Sequence, residues 1–448
     1  MQISTSKTIL VAGLLLAAKT SLAQSLCQGY ESTIFGSNVC VFDSKESKGS
    51  IQSVVTNIHA METNNQFGSN GYALLFQPGL YPKISVPVGY YTQVMGLGLT
   101  PNETTIQTVE VSADDLHGNT SLDNFWRSAE NFTVNKDMVW AVSQAAPLRN
   151  LHVPGVLVLA LGGPHYASGG FLANSQIDTG IASSGQQQWL TRNTHMGAWY
   201  DPGVWNMVFV GSENSPSDGF PNTTLSATPR IAEKPYLTFD ENQQEFQIQV
   251  PALKNTASIG PDWGQAGTTI NQDQFFIAKP SMTSQAINDG LKKPNIKALI
   301  FTPGQYNLSS TIQISQPNTV VLGLGVPVLT GTTSSIPIMT TSAVGVKISG
   351  LLFEAGSNAP IQETDASLLQ IGEKVGASGD INQPVLLSDV YCRIGGHISG
   401  QANSCITIND NYALADNLWL WRADHANPAQ GSQDKNAGKW NMMKQTMV

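Results

Sequence analysis

Apolar side chains at Ile51, Val54, Val55 and Ile58 repeat at the spacing of one helix face, and Ser50 stands before them as a capping residue. A second helix is predicted after Ser281, with Met282, Ala286, Ile287 and Leu291 on one face. After each helix the periodicity changes. Residues 73–81 read ALLFQPGLY and residues 298–306 read ALIFTPGQY: a short apolar strand, a Pro-Gly turn, then more short β-branched strands. The echo continues as TQVMGLG (92–98) and NTVVLGLG (318–325), with a slip of two residues. A phrase repeated together with its neighbours marks an internal duplication. Each half opens with a helix that can cap something made of strands.

Turn-forming residues then recur. Asn131, Asn150, Asn174 and Asn193 are spaced 19, 24 and 19 apart, each followed at the third position by an apolar residue: Val134, Val153, Ile177, Met196. Gly350, Asp389 and Asp416 continue the series in the second half, followed by Phe353, Cys392 and Trp419. Gly, Asn and Asp share a tolerance for the left-handed backbone region. One such turn per 19 to 27 residues, with short strands between, predicts stacked coils of a β-solenoid. The 39-residue gap before Asp389 has room for two coils. The alternative, a pair of β-sandwiches, calls for hairpins with Asn-Gly or Asp-Gly turns, which are nearly absent.

Composition adds a compartment. Lys7, the apolar run Ile9 to Ala18 and the small residues SLA (21–23) read as a cleaved secretory leader over residues 1–23. That run is too short to span a bilayer, so no membrane attachment is expected. Charged residues make up only 12% of the 448, and sequons stand at Asn102, Asn119, Asn131, Asn222 and Asn307. Asn131 is also a turn residue, which argues for burial over a glycan. Four cysteines permit three connectivities; the simplest is local, Cys27 with Cys40 and Cys392 with Cys405. No metal site or cofactor is expected. The net charge of −9 and the lack of a basic patch argue against nucleic acid.

Several long stretches carry a family resemblance: YALLFQPGLY, VGYYTQVMGLG, NFWRSAENFTV, AVSQAAPLRNLHV, QQWLTRNTHMGAWYDPGVWNMVFVG, EKPYL and WLWRADH. They are similar to a secreted microbial subfamily of pectate-lyase-like proteins, over residues 30 to 425. Its members carry labels as different as sheath-polysaccharide-degrading enzyme, coagulation factor 5/8-type protein and adenylyl cyclase. The cyclase label finds no phosphate-cradling loop or metal-binding carboxylate pair in this chain. The layout also resembles family 55 glycoside hydrolases, β-1,3-glucanases with an active site between two helices.

The resemblance implies an all-β fold of two consecutive right-handed parallel β-helices, at 24–270 and 271–425, the second incomplete. Relatives continue beyond WRADH through further coils, whereas residues 426–448 here form a divergent tail without strand alternation. Low activity is expected on that account, in a monomer whose partner is a polysaccharide.

The densest chemistry lies in residues 189–214. Trp199, Tyr200 and Trp205 with Arg192 and His195 are the expected sugar-binding set, aromatic faces stacking on a ring and polar groups bonding its hydroxyls. Filling of the solenoid core by the same tryptophans is the competing reading. Hydrolysis needs two carboxyl groups flanking the scissile bond. Glu233, Asp201 and Asp424 are the expected catalytic residues, with Glu213, Asp240 and Asp416 as further candidates. Glu233 stands beside Lys234 among apolar residues, where burial would raise its pKa; a plain Glu–Lys surface pair is the alternative. A lyase would need a base and a cation for a uronate carboxylate. Arg192 and His195 are available for that second reading, but no calcium-like carboxylate cluster is. A third reading is a non-catalytic glycan-binding wall protein.

Overall fold

The computed structural model describes residues 25–423 apart from 113–120, 162–164, 202, 265–266, 334–335, 357–366, 375, 377–378, 397 and 399. The expected leader, Asn119, Asp424, His425 and the 426–448 segment lie outside the described residues.

The chain is mostly strand. In the first half, Gly36–Phe42, Tyr72–Phe76, Thr92–Gly96, Arg127–Val134, Pro147–Val153, Phe171–Ala173, Gln188–Arg192, Asn206–Val210 and Asn222–Leu225 pair in parallel, each with the next. Gly79–Pro87 with Thr104–Glu110 and the trio Met138–Val139, Val156–Val158, Gly180–Ala182 lie off that face, again in parallel. The chain therefore winds in coils, each laying a strand beside the strand of the previous turn. The second half repeats this from Phe275–Ala278 through Ala298–Phe301, Val320–Gly323, Lys347–Ala355 and Val385–Gly395 to Ala413–Ala423. Its other face is Ile312–Ile314, Met339–Thr341, Ser367–Ile371 and Ser404–Ile408. An antiparallel trio, Tyr236–Asp240, Glu245–Pro251 and Gly267–Asn271, lies between the halves in sequence.

Parallel strands covered on both faces read as continuous apolar runs, and Tyr72–Phe76 is buried at every residue. Its alternation still matters. Leu74, Val94, Ala129, Leu148 and Leu172 stack in register inside the first coil stack. Ala73, Leu75 and Met95 point the other way, into a cluster shared with Ala298, Ile300, Val320 and Leu322 of the second stack. One face of each strand fills its own stack and the other fills the seam between stacks.

The repeated phrase now has a reason. Tyr81 Oη donates to the carbonyls of Phe42 (2.7 Å) and Gln77 (2.9 Å). Tyr306 Oη donates to those of Ala278 (2.8 Å) and Thr302 (2.9 Å). Phe42 is the register partner of Phe76, and Ala278 that of Phe301. Each tyrosine also meets that phenylalanine edge-on, at 5.0 Å and 85° in one copy and 5.1 Å and 86° in the other. The same tyrosine closes the first coil of each stack.

Both helices form, and both start away from the expected cap. Helix α1 spans Lys48–Glu62 with Ser47, not Ser50, accepting from a backbone amide. Helix α2 spans Ser284–Leu291 with Thr283, not Ser281, in that role. The asparagines are turn residues as expected: Asn131, Asn150, Asn174 and Asn193 have φ of 62°, 51°, 50° and 47°. Two expectations for the second half are corrected. Lys347–Ala355 pairs directly with Val385–Gly395, so the 39-residue gap holds one coil with a long excursion, not two. In the last coil Asn417 (φ 69°) makes the turn, not Asp416, and Leu420 rather than Trp419 stacks on Cys392. Both local disulfides are formed, Cys27–Cys40 and Cys392–Cys405.

Candidate functional site

The seam holds a buried network of charges. On the first stack, Glu130, Arg149 and Arg192 each immediately precede a turn asparagine, and the ladder sets Glu130 beside Arg149. Arg149 grips Asp389 of the second stack at 2.9 and 2.8 Å and Asp416 at 2.8 Å. Arg192 binds both oxygens of Glu233 at 2.7 Å and both oxygens of Asp416 at 3.1 and 3.0 Å. Its remaining hydrogen goes to Asn193 Oδ1 at 3.1 Å. All five donors of a guanidinium are then in use. Lys234 Nζ reaches Glu130 at 2.7 Å and Asp389 at 3.7 Å. Burial disfavours the charge on Asp416, but Arg192 and Arg149 outweigh it and hold its carboxyl below the usual range.

Beside this network lies an aromatic cluster built from both stacks. Tyr90, Tyr91, Phe125 and Trp126 of the first pack with Tyr391 of the second, and half-buried Trp419 and Trp421 join them. Trp419 and Trp421, two apart on one strand and so on one face, stack at 5.0 Å and 13°. Trp421 also lies against Phe67 and Phe125. Arg393 sits beneath the cluster, donating to Glu354 at 2.6 Å and to Tyr91 Oη at 2.9 Å. These stacked rings sit at the seam between the two stacks, Trp419 and Trp421 on Ala413–Ala423.

The expected sugar-binding set does not converge. Arg192 faces the second stack with no donor left for a sugar hydroxyl. Trp199 packs edge-on to Phe209 at 4.9 Å, against the first stack's core. Tyr200 (52% exposed) and Trp205 (50%) are on the surface. Tyr200 Oη bonds Thr179 O, and Trp205 N bonds Gln187 O, all within the first stack. His195 pairs with Glu213 at 2.5 Å on the neighbouring coil. The reason is the coil itself: residues 189–214 run past a turn at Asn193, so side chains close in sequence leave on different faces. Trp199, Tyr200 and Trp205 therefore form no common groove toward the second stack.

Among the expected catalytic residues, Glu233 is buried and gives both oxygens to Arg192, while Lys234 turns to Glu130 instead of pairing with it. Glu233 also borders a small cleft of about 10 Å³, room for about one water, with Asn131, Asn150, Asn174, Tyr236 and Trp263. Asp201 accepts from the Ser184 amide at 3.2 Å, with no contact to Glu233. Sequence reasoning missed Arg149, Asp389, Glu130, Arg393 and Glu354. For Glu130 and Arg149 the available signal was a charged residue just before a turn asparagine; for Asp389, Arg393 and Glu354 it was only a charge inside an otherwise apolar strand.

Residues 275–443 match the LAM55 pectate lyase-like domain family. The chain is 42% identical over 401 residues to an exo-beta-1,3-glucanase of Streptomyces sp. (strain SirexAA-E / ActE). That match covers 87% of this chain and 64% of the relative, so the chain spans less than two thirds of that protein's length. The structure of sacteLam55A from Streptomyces sp. SirexAA-E superposes with a TM-score of 0.81 at 40% identity, covering 88% of this chain and 71% of that one. A variant of sacteLam55A in complex with glucose gives 0.80 at 39%, covering 89% and 71%. These matches carry none of the sheath-polysaccharide, coagulation-factor or cyclase labels. With that identity sustained along both coil stacks, the chain belongs to the family of LAM55 pectate lyase-like proteins.

Proposed function

We propose that the protein is a secreted glycoside hydrolase that cleaves β-1,3-glucan, its two stacks being consecutive right-handed parallel β-helices. The observation that carries this reading is the 42% identity to an exo-beta-1,3-glucanase over 87% of the chain. The seam gives it a location. The half-buried edges of the stacked Trp419 and Trp421 are the apolar surface we assign to a pyranose ring, and the two stacks around them are joined by buried ion pairs. Asp424, three residues beyond Trp421, is the carboxyl group we assign to the reaction. Glu233 braces the seam through Arg192, since a carboxyl that accepts from a guanidinium at both oxygens has none free to protonate a leaving group. Two disulfides support an oxidising compartment, and among the described residues no helix is long and apolar enough to cross a membrane.

The test incubates the purified protein with soluble β-1,3-glucan, cellulose, polygalacturonate and alginate. Glucose released from the β-1,3-glucan alone is the expected result, abolished in Asp424→Asn and reduced in Trp421→Ala. New ultraviolet absorbance from an unsaturated uronate would instead mean elimination. Binding without any released sugar would make the chain a glycan-binding protein.

A further inference from the structure

The sequons within the described residues differ in the surroundings of the side-chain amide nitrogen, the atom that carries an N-linked sugar. Asn131 is 1% exposed, and its Nδ2 donates to Gly96 O at 2.9 Å and Gly98 O at 2.7 Å. A sugar there would take one of those hydrogens and has no space. Asn307 is exposed. Asn222 is half-buried, with its Oδ1 buried and unpartnered.

Their positions in the coil stacks are the second observation. Asn222 lies on Asn222–Leu225, the last strand of the first stack's main sheet, where Gly219 exchanges backbone bonds with Asn222 and Asp218 accepts from the Thr224 amide, so that edge is already partly covered by its own chain. Asn307 lies on Gln305–Leu308, which ends a sheet of the second stack and pairs only with Val328–Gly331. A strand paired on one side offers its other edge to another chain, and folds blunt such edges by covering them. The surface around Asn222 is apolar: Phe220 is 87% exposed, Leu225 54%, and Trp205 is on the adjoining coil. By contrast, Asn102 precedes Thr104–Glu110, which is paired on both sides.

We propose that Asn222 and Asn307 carry N-linked glycans, the one at Asn307 covering the open strand edge and the one at Asn222 covering the apolar surface of Phe220 and Leu225, and that Asn131 is unmodified. The proposal rests on the secretion reading above. Transfer forms a bond from Nδ2 to C1 of the sugar and breaks the bond from C1 to the diphosphate of a lipid-linked oligosaccharide donor. One Nδ2 proton and the lipid diphosphate leave.

The full chain is expressed in secreting eukaryotic cells, its glycans are released by an amidase in heavy-oxygen water, and the peptides are mapped by mass spectrometry. Labelled aspartate at positions 222 and 307, with unlabelled Asn131, is expected. Removing glycans from the native protein, and separately the double variant Asn222→Gln, Asn307→Gln, should each raise light scattering. The enzymatic arm needs no refolding, so a folding defect in the variant does not obscure the result. Secreted protein bare at either site, or occupied at Asn131, overturns the proposal while leaving the secretion reading intact. Retention in the cell with every sequon bare removes both. Unchanged scattering after deglycosylation refutes the shielding role.

Discussion

Glu62, at the end of α1, is buried with Oε1 lacking a partner, although Asn65 Nδ2 reaches its Oε2. Burial pushes its carboxyl up to about 7. The folded protein therefore holds a proton that the unfolded chain has released, and stability falls as pH rises from the ordinary glutamate range to about 7. At 1.36 kcal/mol per unit the loss is at most about 3 kcal/mol. Glu62→Gln removes the titration, so thermal melts should show the variant gaining on the parent from pH 5 to pH 8. A difference constant over that range would mean Glu62 stays charged. Nothing in the sequence around Glu62 announces this, because its partner-poor surroundings come from Gly89 and the next coil. Local signals fared better: the turn asparagines and both disulfides were legible. Asp416 was misread because Asp and Asn both tolerate the turn conformation and stand side by side; two arginines from the other stack decide which is buried.

At the scale of elements, the first coil of each stack makes a quantitative test of the duplication. Tyr81 and Tyr306 each reach two carbonyls at the same place in their coils. Tyr81→Phe and Tyr306→Phe remove the hydroxyl while Phe42 O and Ala278 O keep a backbone amide donor each, so each should cost about 0.5–1.5 kcal/mol in urea unfolding. The loss at Tyr306 should be the smaller, because the Thr302 hydroxyl also donates to Ala278 O at 3.2 Å and Gln77 stands at that place in the first copy; equal losses would show that this second donor contributes nothing. The strands and helices were legible because their periods, two and 3.6, are written in consecutive residues. The caps were missed by two or three positions, since several serines and threonines precede each helix and only geometry selects among them. The coil count failed at the 39-residue gap for a related reason: an excursion from a coil carries no period of its own.

Across the whole molecule, the stacks are joined by residues that sequence order keeps far apart. Arg149 and Asp389 are 240 positions apart, and Arg192 and Asp416 are 224. No local pattern could pair them, which is why Arg192 and Glu233 were legible as important and not as a brace. Removing one member of a buried ion network leaves its partners charged and unpaired, at a cost of about 3–5 kcal/mol. Asp416→Asn should exact that cost at neutral pH, because Arg149 and Arg192 lose a shared anion. The sign with pH follows from the depressed carboxyl: Asp416 stabilises above the ordinary aspartate range and that contribution is lost as pH falls below it. The variant's stability should therefore fall less than the parent's on acidification from pH 5. Each stack also keeps its own core and its own disulfide. Weakening the seam should then let the stacks melt separately, so calorimetry of Asp416→Asn should resolve two transitions where the parent shows one. A single transition, merely shifted down, would mean that the shared apolar cluster around Leu75, Met95, Ile300 and Leu322 couples the stacks without help from the charges.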